Sequence, residues 1–339
     1  MKKMKNLALL LVVLALAFVV IGCSNDTPEV PLSGNGTVSS PFQVATEAHL
    51  KKAFETAAQS SPTNLVYIEQ TTDISLTGNW DSGIAFTRDG ANITGGFYGV
   101  YDGKNHKITG LTIRGGNNTA SSVGFIPALV GSGSAIQNVT FENVDVQGDE
   151  EEQTGAVVGV LAHGATVKNV KVLSGTVEGY QGVGGIIGRT LKGVTIEDVE
   201  NGTNVTAVKG ERAGKDNGKG GVEGAYNAGG IVGALYRPES VAVSIKNAKN
   251  TGTVTAEYNA GGVIGYVVSA ATSTFENLSS STVGVITSNT SDNSGSLIGT
   301  VASGSKIAVT TPNTETGIGK GLAIGTAVSD TTVTPVNPQ

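Results

Sequence analysis

One five-residue pattern constrains this chain more than anything else in it: Gly, two residues, Val or Ile, then Gly. It occurs at 155–159, 184–188, 229–233, 261–265, 295–299 and 321–325. Between the copies recurs an apolar residue with a polar pair: Ile136-Gln137-Asn138, Val167-Lys168-Asn169, Ile196-Glu197-Asp198, Ile245-Lys246-Asn247 and Phe275-Glu276-Asn277. A third β-prone piece often follows, as in Gly175-Thr176-Val177 and Gly252-Thr253-Val254. A unit of roughly 30 residues made of short strands cannot bury its own apolar side, so it must stack on copies of itself. Stacking at about 4.8 Å supplies both hydrogen bonds and core. The fold class this implies is all-β: a right-handed parallel β-helix of about eight coils. Glycine, at 49 of 339 residues, suits tight corners and close backbone approach through its missing side chain and its access to positive φ. The recurring Asn138, Asn169, Asp198, Asn247 and Asn277 form either a stacked ladder or a solvent-facing turn row.

The N-terminal part reads differently. Thr46 precedes Leu50, Ala53, Phe54 and Ala57 at helical spacing, which predicts an N-capped amphipathic helix over 46–58. Residues 65–68 and 73–76 are strand-like. A helix ahead of short strands would cap the open end of the stack. The solenoid is thus expected over 42–330, with 331–339 as a disordered tail.

Lys2, Lys3 and Lys5 lead into an apolar run over 7–21 without a charge, too short for a membrane span of about 20 residues. Residues 1–22 are read as a signal peptide. Val20-Ile21-Gly22-Cys23 resembles the lipobox of bacterial lipoproteins, although Ile21 replaces the usual small residue. That resemblance implies cleavage before Cys23, the only cysteine, and lipidation of its thiol and new N-terminus. Several acyl chains at about 0.8 kcal/mol per buried methylene give a lasting anchor. Ser24 resembles the enterobacterial signal for onward transfer to an outer membrane, so a lipid-anchored, surface-exposed envelope protein is expected. Residues 23–41, rich in Ser, Thr, Pro, Asn and Gly, read as a flexible tether.

Gly185-Ile186-Ile187-Gly188, Gly230-Ile231-Val232-Gly233 and Gly262-Val263-Ile264-Gly265 resemble the GLUG motif of bacterial surface proteins. Residues 97–103 and 108–113 look like the lead-in coil of such proteins, and the resemblance spans roughly 90–330. Pro127 stands where the first coil would place its closing glycine, and Ser296 and Leu322 replace glycines in the last two. The resemblance implies an adhesin-like lipoprotein and says little about activity.

The residues for chemistry are sparse. A net charge of −6 disfavours nucleic acid. His49, His106 and His163 form no H-E-x-x-H pattern, and the single cysteine leaves neither a nucleophile nor a metal cluster. No cofactor or metal site is expected. The run Asp149-Glu150-Glu151-Glu152 lacks the spaced ligands of a calcium loop. Gly182-Val183-Gly184 lacks the lysine and helix of a phosphate loop. Asp102, Asp145, Glu197 and Asp198 are scattered where a glycosidase needs paired carboxylates, and Asp102 reads as a turn residue. The repeat between Gly188 and Gly233 is longer than its neighbours, and the excess near 209–225 carries Lys209, Arg212, Lys215 and Lys219. Loops leaving a rigid scaffold are where recognition concentrates. Tyr180, Tyr226 and Tyr258, each just before a repeat, form a second candidate surface, either a row against sugar or protein or corner packing. The expected role is non-catalytic binding of a host or matrix protein or glycan. A polysaccharide lyase or hydrolase and a passive surface coat are the alternatives.

Overall fold

The strand at Thr166–Val172 shows how each coil is made. Val167, Val170 and Val172 are buried, Lys168 and Lys171 point outward, and Asn169 between them takes φ 49°. Plain alternation would put Val167 and Val170 on opposite faces. The left-handed Asn resets the phase, so one strand bends while keeping its apolar side inward. The computed structural model describes residues 30–90, 92–115, 122–149, 153–208, 226–236, 241–269, 271–280, 286–288, 294–302, 305–310, 324–327 and 332–335. One compact unit runs from Leu32 onward; the other, Met1–Pro31, is described only at Val30 and Pro31.

Four parallel sheets form the walls of a β-helix. The first runs through Phe42–Val44, Val66–Gln70, Gly99–Thr109, Ala135–Glu142, Thr166–Val172, Thr195–Asn201, Ser244–Asn250, Ser273–Ser280, Lys306–Thr310 and Thr332–Pro335. The second begins at Thr112–Arg114, the third at Ser122–Val123 and the fourth at Ile126–Val130, and each repeats coil by coil. Among the described residues six complete four-sided coils, starting at residues 99, 135, 166, 195, 244 and 273, stand between partial ones at both ends, where about eight coils were expected. Val, Ile, Leu and Phe side chains from all four sheets fill one continuous interior.

Helix α1, Glu47–Ala57, has Thr46 as N-cap, its hydroxyl accepting from the His49 N–H at 3.2 Å. It buries the four expected apolar residues. Phe54 meets Trp80, Phe97, Tyr101 and Phe125 at centroid distances of 5.3–6.2 Å. Much of the chain's scarce aromatic content is gathered at this capped end.

The five glycine motifs from 155–159 to 295–299 straddle the corner between the third and fourth sheets, and none of their described glycines has positive φ. Close approach is what selects them. A Cβ on Gly229 would lie 2.0 Å from the Val232 carbonyl oxygen, and one on Gly233 would lie 2.3 Å from the Val183 nitrogen. The left-handed positions belong instead to Asn138, Asn169, Asp198, Asn247 and Asn277, with φ between 49° and 56°. Pro127 is tolerated because the ladder passes from Ile126↔Val158 to Ala128↔Val160, leaving its position outside the pairing.

Both ends of the expected domain require correction. Residues 33–41 are a folded turn, not part of a tether: Ser33 bridges Gln43, Thr37 bridges Ser40, and the Tyr67 N–H donates to the Gly36 carbonyl at 2.9 Å. Gly34 at φ 87° and Gly36 at φ 75° make that turn possible. At the other end, Thr332–Pro335 is no disordered tail but pairs in parallel with Lys306–Thr310, as its alternating Thr and Val residues permit.

Candidate functional site

The folded turn at 33–41 builds one wall of a groove on the outer face of the first sheet. Parallel register stacks Tyr67, Val100, Ala135 and Thr166 in one column across four coils. Beside it runs the column Glu69, Asp102, Gln137. Val38 and Pro41 line it from the folded turn, Gly133 and Ser134 from the approach to the strand at 135, and the open groove has a volume of about 440 Å³. Val38 is 72 % exposed, an apolar side chain left against this opening. The groove runs along the solenoid axis, perpendicular to the strands, and the four stacked floor positions span about 14 Å.

Glu69 and Asp102 sit on neighbouring strands in register, near the separation of about 5 Å that a retaining glycosidase uses. Their oxygens are already engaged. Glu69 takes the Lys104 ammonium at 2.9 Å and the Gln43 amide at 3.2 Å. Asp102 accepts from the Lys104 N–H at 2.8 Å, Asn138 Nδ2 at 3.1 Å and Gln137 Nε2 at 3.0 Å. The first of these closes an Asx turn, the role expected for Asp102. The hydrogen bond from Lys104 to Glu69, with the added charge of Asp102, raises the lysine pKa. Beneath the floor, Tyr101 donates to Gln70 Oε1 at 2.9 Å, and burial pushes its phenol upward. What the groove offers is one tyrosine, an apolar floor and a wall of amide and carboxylate acceptors around one ammonium. That set can exchange hydrogen bonds with hydroxyl groups, and both of its carboxylates already have partners within the protein.

Asn247 Nδ2 donates to Asp198 at 2.7 Å, Asn277 to Asn247 at 2.8 Å and Asn169 to Asn138 at 3.0 Å. The row is therefore a hydrogen-bonded ladder on a partly exposed bend. A second ladder lies inside, where the fully buried Asn201 donates to the fully buried Asn250 at 2.9 Å. It was not expected, yet Asn201 and Asn250 have a signal: each ends a strand whose centre matches the repeat.

The expected tyrosine row is only a pair. Tyr226 and Tyr258 stack at 6.1 Å, but Tyr226 is 2 % exposed, and the strand register puts Gln181, not Tyr180, in their column. The chain takes two residues from Gly179 to Gly182 and two from Ala256 to Asn259, so Tyr180 falls one position early. Cys23, Lys209, Arg212, Lys215 and Lys219 lie outside the described residues. The groove itself escaped sequence reading because Tyr67, Val100 and Ala135 come from separate coils, and one wall comes from a stretch whose composition resembles a linker.

Comparison with known proteins bears on the fold. A solved structure described as a "putative immunoglobulin A1 protease" from Bacteroides ovatus superposes with a TM-score of 0.50 at 22 % identity, covering 82 % of this chain and 86 % of that one. At that identity the likeness shows the fold alone. Halomucin of Haloquadratum walsbyi is 35 % identical over 100 residues, which is 30 % of this chain and 1 % of halomucin. The chain thus spans a very small part of that relative. No family model matches the chain.

Proposed function

We propose that this protein is a lipid-anchored, non-catalytic β-helix of the cell envelope that binds an extended glycan along the groove at Tyr67. GLUG-like repeats supply the rigid scaffold, and Cys23, as the lipobox resemblance implies, supplies the anchor. The observation that carries the reading is the axial groove of about 440 Å³ with a tyrosine and apolar floor beside engaged carboxylates. Sugar rings stack on aromatic faces while their hydroxyls donate to fixed acceptors. Glu69 and Asp102 against one Lys104 leave the wall with a net negative charge, which favours a neutral glycan over an acidic one.

Binding of neutral and acidic oligosaccharides to the purified chain tests this. Tyr67→Ala is expected to weaken retention of a neutral ligand at least tenfold, the loss of about 1.4 kcal/mol of ring contact. Cleaved or unsaturated products would point to the lyase or hydrolase alternative. Binding indifferent to Tyr67 would remove the groove from the reading. Cys23→Ala is expected to shift the chain from the membrane to the soluble fraction.

A further inference from the structure

The floor of the groove does not stop where its walls do. Thr166, the last floor residue, is in register with Thr195, Thr195 with Ser244 and Ser244 with Thr274, so the same outward column continues for three more coils. Each of the four is followed by a residue that enters the core, and burial of Val167, Ile196, Ile245 and Phe275 fixes the hydroxyl side chains on the outer face. Thr166, Thr195 and Ser244 are half-buried and Thr274 is exposed. Among the described residues, none of the four hydroxyls is held by another group of the protein. The row ends at Ala308, which has no hydroxyl to offer. The neighbouring column changes character along the same line. Beside the groove it carries Glu69 and Asp102; beside the hydroxyl row it reads Lys168, Glu197, Lys246, Glu276. There the charges cancel as the ion pairs Lys168–Glu197 at 3.0 Å and Lys246–Glu276 at 3.1 Å.

We propose that the groove at Tyr67 is the first part of a longer site, whose ligand is a linear neutral polysaccharide that leaves the groove over Thr166 and runs along Thr195, Ser244 and Thr274. This rests on the glycan reading of the groove and adds the length and course of the ligand. A chain lying in the groove is already directed down this column, since both follow the solenoid axis. Coils recur at about 4.8 Å, close to the length of one extended hexose unit, so successive sugars meet successive hydroxyls in the same setting. A hydroxyl both donates and accepts, which suits it to a sugar hydroxyl in either orientation. A charged polymer would find no counter-charge left over in the flanking pairs, and a neutral one needs none. From Tyr67 to Thr274 the column has seven positions, against four for the groove floor alone, and spans about 29 Å.

The test measures the affinity of the purified full chain for neutral linear glucans, mannans and galactans, each as a series from about two to about eight units, matched to the coil rise. Affinity is expected to climb past about four units and to level off near seven. The combined variant Thr195→Val, Ser244→Ala, Thr274→Val suits outward strand positions and removes only hydroxyls. It should weaken the longest ligand at least about tenfold, the worth of the lost hydrogen bonds, and leave a ligand of groove length held as by the parent. Tyr67→Ala should weaken both lengths, which separates the groove from its extension. An affinity that levels off at groove length overturns the extension and leaves the groove reading standing. One that climbs with length but ignores the combined variant places the chain elsewhere and overturns the extension too. Absence of binding by every series overturns both readings. The length series on the unaltered chain decides the matter where the variant does not fold.

Discussion

Asn247 combines two functions that substitution can separate. Its φ of 52° is a conformation most side chains avoid, and its amide both donates to Asp198 and accepts from Asn277. Asn247→Gly removes the ladder bonds but leaves the backbone comfortable, whereas Asn247→Ala removes the bonds and adds left-handed strain of about 1–2 kcal/mol. Urea unfolding should therefore place the alanine variant about 1 kcal/mol below the glycine variant. Equal midpoints would mean that the bend is held by its neighbours, not by the residue. The same contrast explains why the motif glycines and the asparagines recur together without being interchangeable. The asparagines make the left-handed bend, and the glycines let adjacent coils approach within what a Cβ would occupy.

At the scale of elements, helix and strands were legible because their signals are local and periodic. Thr46 to Ala57 carries its cap and its apolar spacing within a dozen residues, and the repeat announces each bend by its Asn or Asp. Strand register, however, is a property of residues far apart, which is why Tyr180 looked like a companion of Tyr226. Composition misled at 33–41, since Ser, Asn, Gly and Pro serve a tight turn as well as a loose linker. One contact that no pattern foretold ties α1 to the coil beneath it. Glu47 accepts from the Thr77 N–H at 2.9 Å and its hydroxyl at 2.8 Å, and pairs with Lys51 at 2.7 Å. Burial works to raise its pKa, but these partners outweigh it and the net displacement is downward. A carboxyl with a lowered folded pKa stabilises at neutral pH, and the contribution is lost as pH falls through that value. Glu47→Gln should cost about 1 kcal/mol at pH 7. The gap between variant and parent should close as pH drops below the ordinary glutamate value of about 4.3. A gap that persists in acid would mean that shape, not charge, docks the helix.

For the molecule as a whole, the long repeat tests how independent the scaffold is of what it carries. Across it the first sheet stays in register, with Glu197 opposite Lys246 and Asn201 opposite Asn250, although 49 residues separate the last pair. Elsewhere the second sheet passes to the third through two residues, Glu257-Tyr258 between Ala256 and Asn259. Deleting 209–225 would leave Val208-Tyr226 between Ala207 and Asn227, the same two-residue link with tyrosine in the same place. Shortening that connection lowers its closure cost by about 2 kcal/mol, so the deletion should unfold at an equal or higher temperature with an unchanged β spectrum. Recognition then separates cleanly from folding. Neutral glycan binding that survives the deletion belongs to the groove at Tyr67. Binding that disappears from an intact fold belongs to Lys209, Arg212, Lys215 and Lys219. A deletion that fails to fold would mean that the segment is part of the scaffold, and the long repeat would have to be read as structure instead of cargo.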